Sequence, residues 1–379
     1  MSLPDNSPEP SPEARRYQAI RYRLFFLRLF GSVAALLIFL STGWSRALKI
    51  SLLAVREDFF SLSALYISCF LVLSFLVSLP LDVFEGFFLE RRFRLGRQTF
   101  GGWFKDFLKK SAVAFIVAWV LLEGVYFFLS QFPGDWWLWA AFFWFFLSIV
   151  LARIFPYVIL PLFFRVRPLE EGDVRRRIQA LFERYRVRLK DVFVLDFSKK
   201  TVKANAMVSG LGATKRIFLA DTLLESFTPQ EIEVVLAHEL GHYLRHDTAK
   251  LVIASLVSGL FSFGLAFVLF GHFLDVFGFA GPSDVAALPL LLLILFAAGF
   301  VLMPLQNGFA RMIERQADCF ALEATRSTEA FASMMRKLGE KNLADFSPSR
   351  WAEIFLYDHP PIAKRIRMAR AFQNAGEHI

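Results

Sequence analysis

Six stretches of the chain are mostly apolar: about 24–43, 61–82, 111–131, 136–163, 250–273 and 286–307. About 20 such residues in helical form cross the hydrocarbon of a bilayer, so each stretch predicts a transmembrane helix. The first has arginines ahead of a short apolar run, as a secretory leader does. No small-residue cleavage site follows, and later spans do, so it reads as an uncleaved anchor. The fourth contains Pro156 and Pro161, which predict a kink, a tilt or an early exit into the interface.

The polar positions between the spans alternate in charge. Arg15, Arg16, Arg21 and Arg23 precede the first span; Arg91, Arg92, Arg94, Arg97, Lys105, Lys109 and Lys110 separate the second from the third. The segments after the fourth and sixth spans are also basic. The intervening loops hold only Arg46, Lys49 and Arg56 in 44–60, and no Lys or Arg in 132–135 or 274–285. Six spans with both termini cytoplasmic put every basic cluster on one side, as the positive-inside rule requires. An integral multi-pass membrane protein is expected, with its N-terminus, its polar segments after the fourth and sixth spans and its C-terminus in the cytoplasm.

Two polar blocks remain, 164–249 and 308–379, together long enough for one small domain split by the two-span hairpin 250–307. In the first, VFVLDF (192–197), ANAMVSG (204–210) and RIFLAD (216–221) read as short strands, with Gly210–Leu211–Gly212 as the turn between the last two. EEGDVRRRIQALFERY (170–185) has helical spacing. Thr228–Pro229–Gln230–Glu231 is a helix start with an N-cap threonine, a first-turn proline and a glutamate at the capping-box position. The predicted organisation is a disordered 1–14, a four-span region 15–163 with a basic loop 85–110, the domain halves 164–249 and 308–379, and the hairpin 250–307. The fold class is an α-helical polytopic membrane protein of six to seven spans carrying a cytoplasmic α+β domain.

Composition agrees. Of 379 residues 56% are hydrophobic, 46 are Phe and only 20% are charged, against about 45–50% apolar in soluble domains. An ordinary soluble enzyme and a disordered chain are both excluded. Two cysteines, Cys69 and Cys319, make neither a disulfide framework nor a thiolate zinc site. The net charge of +9 is accounted for by orientation and anionic lipid, so membrane lipid is an expected partner and nucleic acid is not.

Chemistry concentrates on the helix that starts at Thr228. It runs into His238–Glu239–Leu240–Gly241–His242, an HExxH motif. Residues four apart share a helix face, so both imidazoles can hold one zinc, with Glu239 beside it to take a proton from bound water. A catalytic zinc needs a third protein ligand. The metzincin pattern would place Gly at 245 and His at 248, where this chain has Arg245 and Thr248, so that class is excluded. His246, a turn beyond His242, is too far along the axis to close the site. Glu314 and Asp318 are again four apart. By spacing alone they suit an exposed helix face equally well; beside an HExxH, Glu314 reads as the third ligand and Asp318 as acceptor of a ligand histidine's outer N–H.

These residues, in this order, resemble the integral-membrane type I CAAX prenyl proteases and their bacterial relatives, zinc metallopeptidases of the gluzincin kind. FFLERRFRLGRQTFGGWFKDFLKK (87–110), LPLFFRVRPLEEGDVRRRIQAL (160–181), ANAMVSGLGATKRIFLADTLLE (204–225), ERQADCFAL (314–322) and HPPIAKRI (359–366) carry the likeness, which covers most of the chain from about residue 80. The resemblance implies one Zn2+ per chain and endopeptidase action on a peptide or protein, prenylated or not. It implies that Asn205–Ala206 lie on an edge strand that pairs with substrate backbone, with Asn205 holding a carbonyl beside the scissile bond. It implies that His359 steadies the oxyanion and that Arg365 packs near the third ligand. The family has His-Ser just before Asn-Ala; this chain has Lys203–Ala204, which bears on primed-side preference. Seven spans are usual there, so residues 44–60 either form an interfacial helix or the chain is a shorter bacterial-type member. The rival readings are a heat-shock-type quality-control membrane protease, which shares HELGH and the downstream glutamate, and a non-proteolytic membrane protein with structural zinc.

Overall fold

The computed structural model describes residues 10–187, 191–209 and 216–376. Among these, six helices are long and apolar enough to cross a membrane. They are α1 (Pro12–Ser41), α3 (Phe59–Arg92), α4 (Phe100–Gln131), α5 (Trp136–Phe163), α9 (Asp247–Phe277) and α10 (Leu288–Thr325). Between the first two lies α2 (Trp44–Leu53). At ten residues it is about 15 Å long, half the hydrocarbon thickness. It is tied to the α9–α10 hairpin by Lys49 Nζ on Asp284 Oδ1 at 2.9 Å and packs on α3.

Several boundaries differ from those the sequence predicts. The first helix begins at Pro12, N-capped by Ser11, and Ala14 is buried, so 12–14 are helical and not disordered; residues 1–9 lie outside the described part. The basic loop expected over 85–110 shrinks to 93–99, because α3 continues through a π-turn at Phe84–Leu89 and α4 starts at Phe100, capped by Thr99. The kink predicted at Pro156 is a second π-turn, Phe155–Ile159. Here the missing proline N–H is absorbed by a wider backbone loop rather than a break.

The catalytic domain follows: β1 (Val166–Pro168), α6 (Asp173–Arg184), β2 (Val192–Leu195), β3 (Ala206–Ser209), β4 (Arg216–Ala220), α7 (Asp221–Ser226) and α8 (Pro229–Leu244). After the hairpin come α11 (Thr328–Lys341), α12 (Arg350–Leu356) and α13 (Ile362–Gly376). The sheet order is β1-β2-β4-β3, with β2 parallel to β4 and the outer pairs antiparallel. β1 was not foreseen, since three residues ending in proline show no alternation. The predicted turn at Gly210–Leu211–Gly212 lies outside the described residues.

One core binds the domain halves together. Ile232, Val234, Leu236 and Leu240 of α8 pack with Ile178 and Leu181 of α6, Ala321 and Leu322 of α10, and Phe331 and Met335 of α11. A separate core joins the membrane helices around Tyr66, Tyr126, Trp136 and Phe270.

The start of α8 is fastened at both ends of its capping box. Thr228 accepts from the Glu231 N–H, and Glu231 accepts from the Thr228 N–H at 2.8 Å. Removing the hydroxyl in Thr228→Ala should cost about 1 kcal/mol of stability. The buried Glu231 carboxylate also accepts from Lys337 Nζ and Ser333 Oγ, both at 2.6 Å. Burial pushes its pKa up, but these donors outweigh it and hold the group below the ordinary 4.5. A depressed carboxylate contributes stability above its unfolded pKa and loses it as pH falls through the folded value. Glu231→Gln should therefore lower Tm at pH 7, and the gap to wild type should close as pH is taken below about 4.5. A gap that does not change with pH would mean that packing, not charge, holds this corner.

Candidate metal centre

On one face of α8 the two histidines of the HExxH motif turn their rings toward α10. His238 and His242 bring their Nε2 atoms to 3.1 Å of each other. Glu314 of α10 faces both, with Oε2 3.2 Å from His238 Nε2 and Oε1 3.3 Å from His242 Nε2. Among the described residues these three form the group that can hold a metal ion, their ligand atoms all within 4.8 Å.

The outer ring atoms are anchored. His238 Nδ1 lies 2.9 Å from Asp318 Oδ1, and His242 Nδ1 lies 2.9 Å from Asp247 Oδ2. With each Nδ1–H given to a carboxylate, both Nε2 atoms carry bare lone pairs aimed at the same point. Glu314 Oε2 is buried with no hydrogen-bond partner. With both rings neutral, these three electron-rich atoms repel unless a cation, a metal ion or a proton, lies between them. Two imidazoles, one carboxylate and no thiolate suit a divalent transition metal with an open position. The titration of His238 tells the same story. Burial disfavours a charged ring, yet Asp318 and Glu314 outweigh it and push its pKa up to about 10. His242 is also raised, against its burial, chiefly by Glu314. The cluster demands positive charge.

Asp318 is fully buried and takes Arg365 Nε on Oδ2 at 2.7 Å, with Arg365 Nη2 on Oδ1. His359 sits on the turn ahead of α13, half exposed, its Nε2 3.3 Å from Glu314 Oε1 and its Nδ1 2.8 Å from Asp358 Oδ1. That turn is clamped from two sides. Arg311 donates to the Tyr357 and Glu353 carbonyls at 2.6 and 2.7 Å, and Tyr22 of α1 meets Tyr357 hydroxyl to hydroxyl at 2.8 Å. Glu239 is partly exposed on the same helix as the histidines. Asn205 is exposed just ahead of β3; its carbonyl accepts from the Ala220 N–H at 3.0 Å, and Ala206 opens the strand opposite Leu219. β3 is the sheet's outer strand beside α8.

Asp247 was missed by sequence reasoning. Five residues along a continuous helix it would point about 140° away from His242. His246 adopts a left-handed φ of 56° and separates α8 from α9, which swings Asp247 back beneath the ring. His246 itself is exposed at that break. Gly241 was also unremarked. A Cβ there would meet Ala317 Cα at 3.3 Å and Phe320 Cδ1 at 3.1 Å, so it is the absent side chain that lets α8 approach α10. Gly241→Val should part the helices and lower both Tm and metal occupancy; unchanged metal content would show that the α8–α10 spacing is set elsewhere.

Comparison with known proteins now has a geometry to meet. The model of peptidase family M48 matches residues 168–373, more than half of the chain. The chain belongs to peptidase family M48. A second model, described as the CAAX prenyl protease N-terminal region, five membrane helices, matches residues 7–165. An uncharacterized metalloprotease YhfN of Bacillus subtilis is 28% identical over 369 residues, covering 96% of this chain and 86% of its own. CAAX prenyl protease 1 of Saccharomyces cerevisiae is 30% identical over 318 residues, 78% of this chain and 69% of its own. The crystal structure of S. mikatae Ste24p superposes with a TM-score of 0.80 at 26% identity, covering 93% of this chain and 87% of that one. This M48 member is an integral multi-pass membrane metalloendopeptidase resembling the CAAX prenyl proteases.

Proposed function

We propose that the chain is a zinc endopeptidase acting on the C-terminal part of membrane-associated peptides, prenylated ones included, from the cytoplasmic side. The observation that supports this reading is the convergence of two imidazole Nε2 atoms and a buried Glu314 oxygen without a hydrogen-bond partner, beside Glu239 and an outer sheet strand. His238, His242 and Glu314 would hold one Zn2+ per chain, which when bound supplies Lewis acidity for the carbonyl and for water. Glu239 takes the proton of the attacking water and delivers it to the leaving amine. His359, held by Asp358 and the clamped turn, donates to the oxyanion. The substrate lies as an added strand along β3, its backbone paired from Asn205 and Ala206. Asp318 and Asp247 fix which ring nitrogens stay bare, and Arg365 fixes Asp318.

The testing experiment is cleavage by purified protein in detergent of a prenylated CaaX-terminated peptide and its unprenylated twin, with zinc content measured. Cleavage of the prenylated peptide alone supports a prenyl-directed protease. Cleavage of both makes it a general C-terminal peptidase. Zinc-loaded protein that cuts neither would remove the substrate claim.

A further inference from the structure

Two cavities of about 610 Å3 each lie along α1. Both share Arg21, Arg28 and Glu85 on their walls, so they meet along α1. The second reaches Asp358, the neighbour and partner of His359. The first reaches Lys203, two residues before Asn205.

Almost every charge on these walls is spoken for. Arg28 pairs with Asp82 at 2.7 Å and Glu85 at 2.8 Å, Lys200 with Asp106 at 2.6 Å, and Lys203 with Glu90 at 2.7 Å. The first cavity carries five cations against four carboxylates. Among the described residues, the wall cations with no carboxylate in ion-pair reach are Arg21 and Lys110. Lys110 lines the first cavity alone, whereas Arg21 stands where both meet. Its guanidinium lies 5.8 Å from the centroid of the Tyr17 ring, and that ring's hydroxyl donates to Glu90 Oε1 at 2.5 Å. Glu90 in turn holds Lys203. The Tyr17–Glu90–Lys203 contacts therefore tie the platform under Arg21 to the strand that carries Asn205.

We propose that Arg21 is the anchor for a carboxylate of the substrate, namely the free C-terminus, on the leaving-fragment side of the metal centre. This deepens the proposed function and rests on it. A guanidinium offers two parallel N–H donors to a carboxylate, which the Lys110 ammonium does not, and a cation left over once the wall's ion pairs have formed recruits an anion. A peptide laid antiparallel to β3 runs its C-terminus toward Lys203 and these cavities, and so brings one such group, its terminal carboxylate. Lys203 then serves positioning: neutralised by Glu90, it fixes Tyr17 and leaves Arg21 as the free charge where the two cavities meet.

The test uses zinc-loaded Glu239→Gln protein in detergent and a fluorescent prenylated CaaX-terminated peptide, so that binding is read without turnover. Three forms are compared: the free acid, the C-terminal amide, and the amide with Glu as last residue. The acid should bind about tenfold more tightly than the amide, the size of one charge-assisted contact. Arg21→Gln should erase that difference while leaving the amide's affinity unchanged, and Arg21→Lys should restore part of it. Arg21 is exposed, so folding should survive; an unchanged Tm confirms it. Equal binding of acid and amide, no binding of either, or a preference that persists in Arg21→Gln would overturn the proposal. If the Glu-terminated amide binds like the acid, the site reads a side-chain carboxylate and the terminus assignment falls. A wild-type enzyme that cuts nothing, alongside an acid preference that depends on Arg21, would overturn the proposed function and leave the anchor standing.

Discussion

Glu239→Gln should purify folded, with its zinc, and show no turnover. The amide has the shape and hydrogen-bonding reach of the carboxylate but cannot accept a proton at neutral pH. None of the three metal-facing atoms is altered, because they come from His238, His242 and Glu314. The anchoring carboxylates Asp318 and Asp247 are untouched as well. A positioned general base accounts for about 10²–10⁴ in rate, and here the same group is asked to carry the proton twice, so the loss should lie at the upper end. The check is kcat with prenylated peptide beside metal content by elemental analysis. Retention of more than about a hundredth of wild-type kcat would take the base role away from Glu239. Loss of zinc would mean instead that the residue supports the site and does not act in the reaction.

Asp318→Asn should be nearly as damaging by a different route. Asp318 is wholly buried and, among the described residues, accepts from both one ligand histidine and the buried Arg365 guanidinium. Burial alone would lower the Arg365 pKa; Asp318 outweighs it and keeps the group raised. Removing one partner of a buried ion pair costs about 3–5 kcal/mol, since the other charge stays buried and uncompensated. The freed His238 ring can then flip or hold its proton on Nε2, which should weaken zinc affinity by about 10–100-fold. Thermal unfolding with and without added zinc, and chelator competition, read the two losses separately. The corresponding change at Asp247 should be milder in stability, because its cation partner Lys250 is well exposed and can return to water. Equal loss of stability in the two variants would show that the Asp318–Arg365 pair is not the keystone claimed here.

The contrast between these two acids shows how far local pattern reaches. His238, Glu239 and His242 were named from spacing, since four residues along a helix mark one face wherever the helix goes, and Glu314 and Asp318 from the same spacing read beside the HExxH. Asp247 was hidden, because its placement depends on a left-handed residue at His246 that no periodicity announces. Arg365, His359 and Asn205 needed the family resemblance. In the chain alone they are a helix charge, a turn histidine and a loop amide. His359 reaches Glu314 only because α1 and α10 clamp the turn before it.

The sequence by itself determined the six apolar helices, the split of the polar domain by a hairpin, the capped HExxH helix and the ligand types. Each is a local property: hydrophobic period, capping chemistry and i, i+4 spacing are encoded within a few turns of chain. Only the tertiary structure decided where helices truly end, which acids serve which histidine, and which charges on the cavity walls are left over. Those depend on contacts such as His238 with Asp318, 80 residues apart, and Lys203 with Glu90, 113 apart. The physical reason is that a charge's role is set by what neutralises it. Arg28 and Arg21 are both arginines of α1, and only folding brings Asp82 and Glu85 to one and, among the described residues, no carboxylate within ion-pair reach of the other.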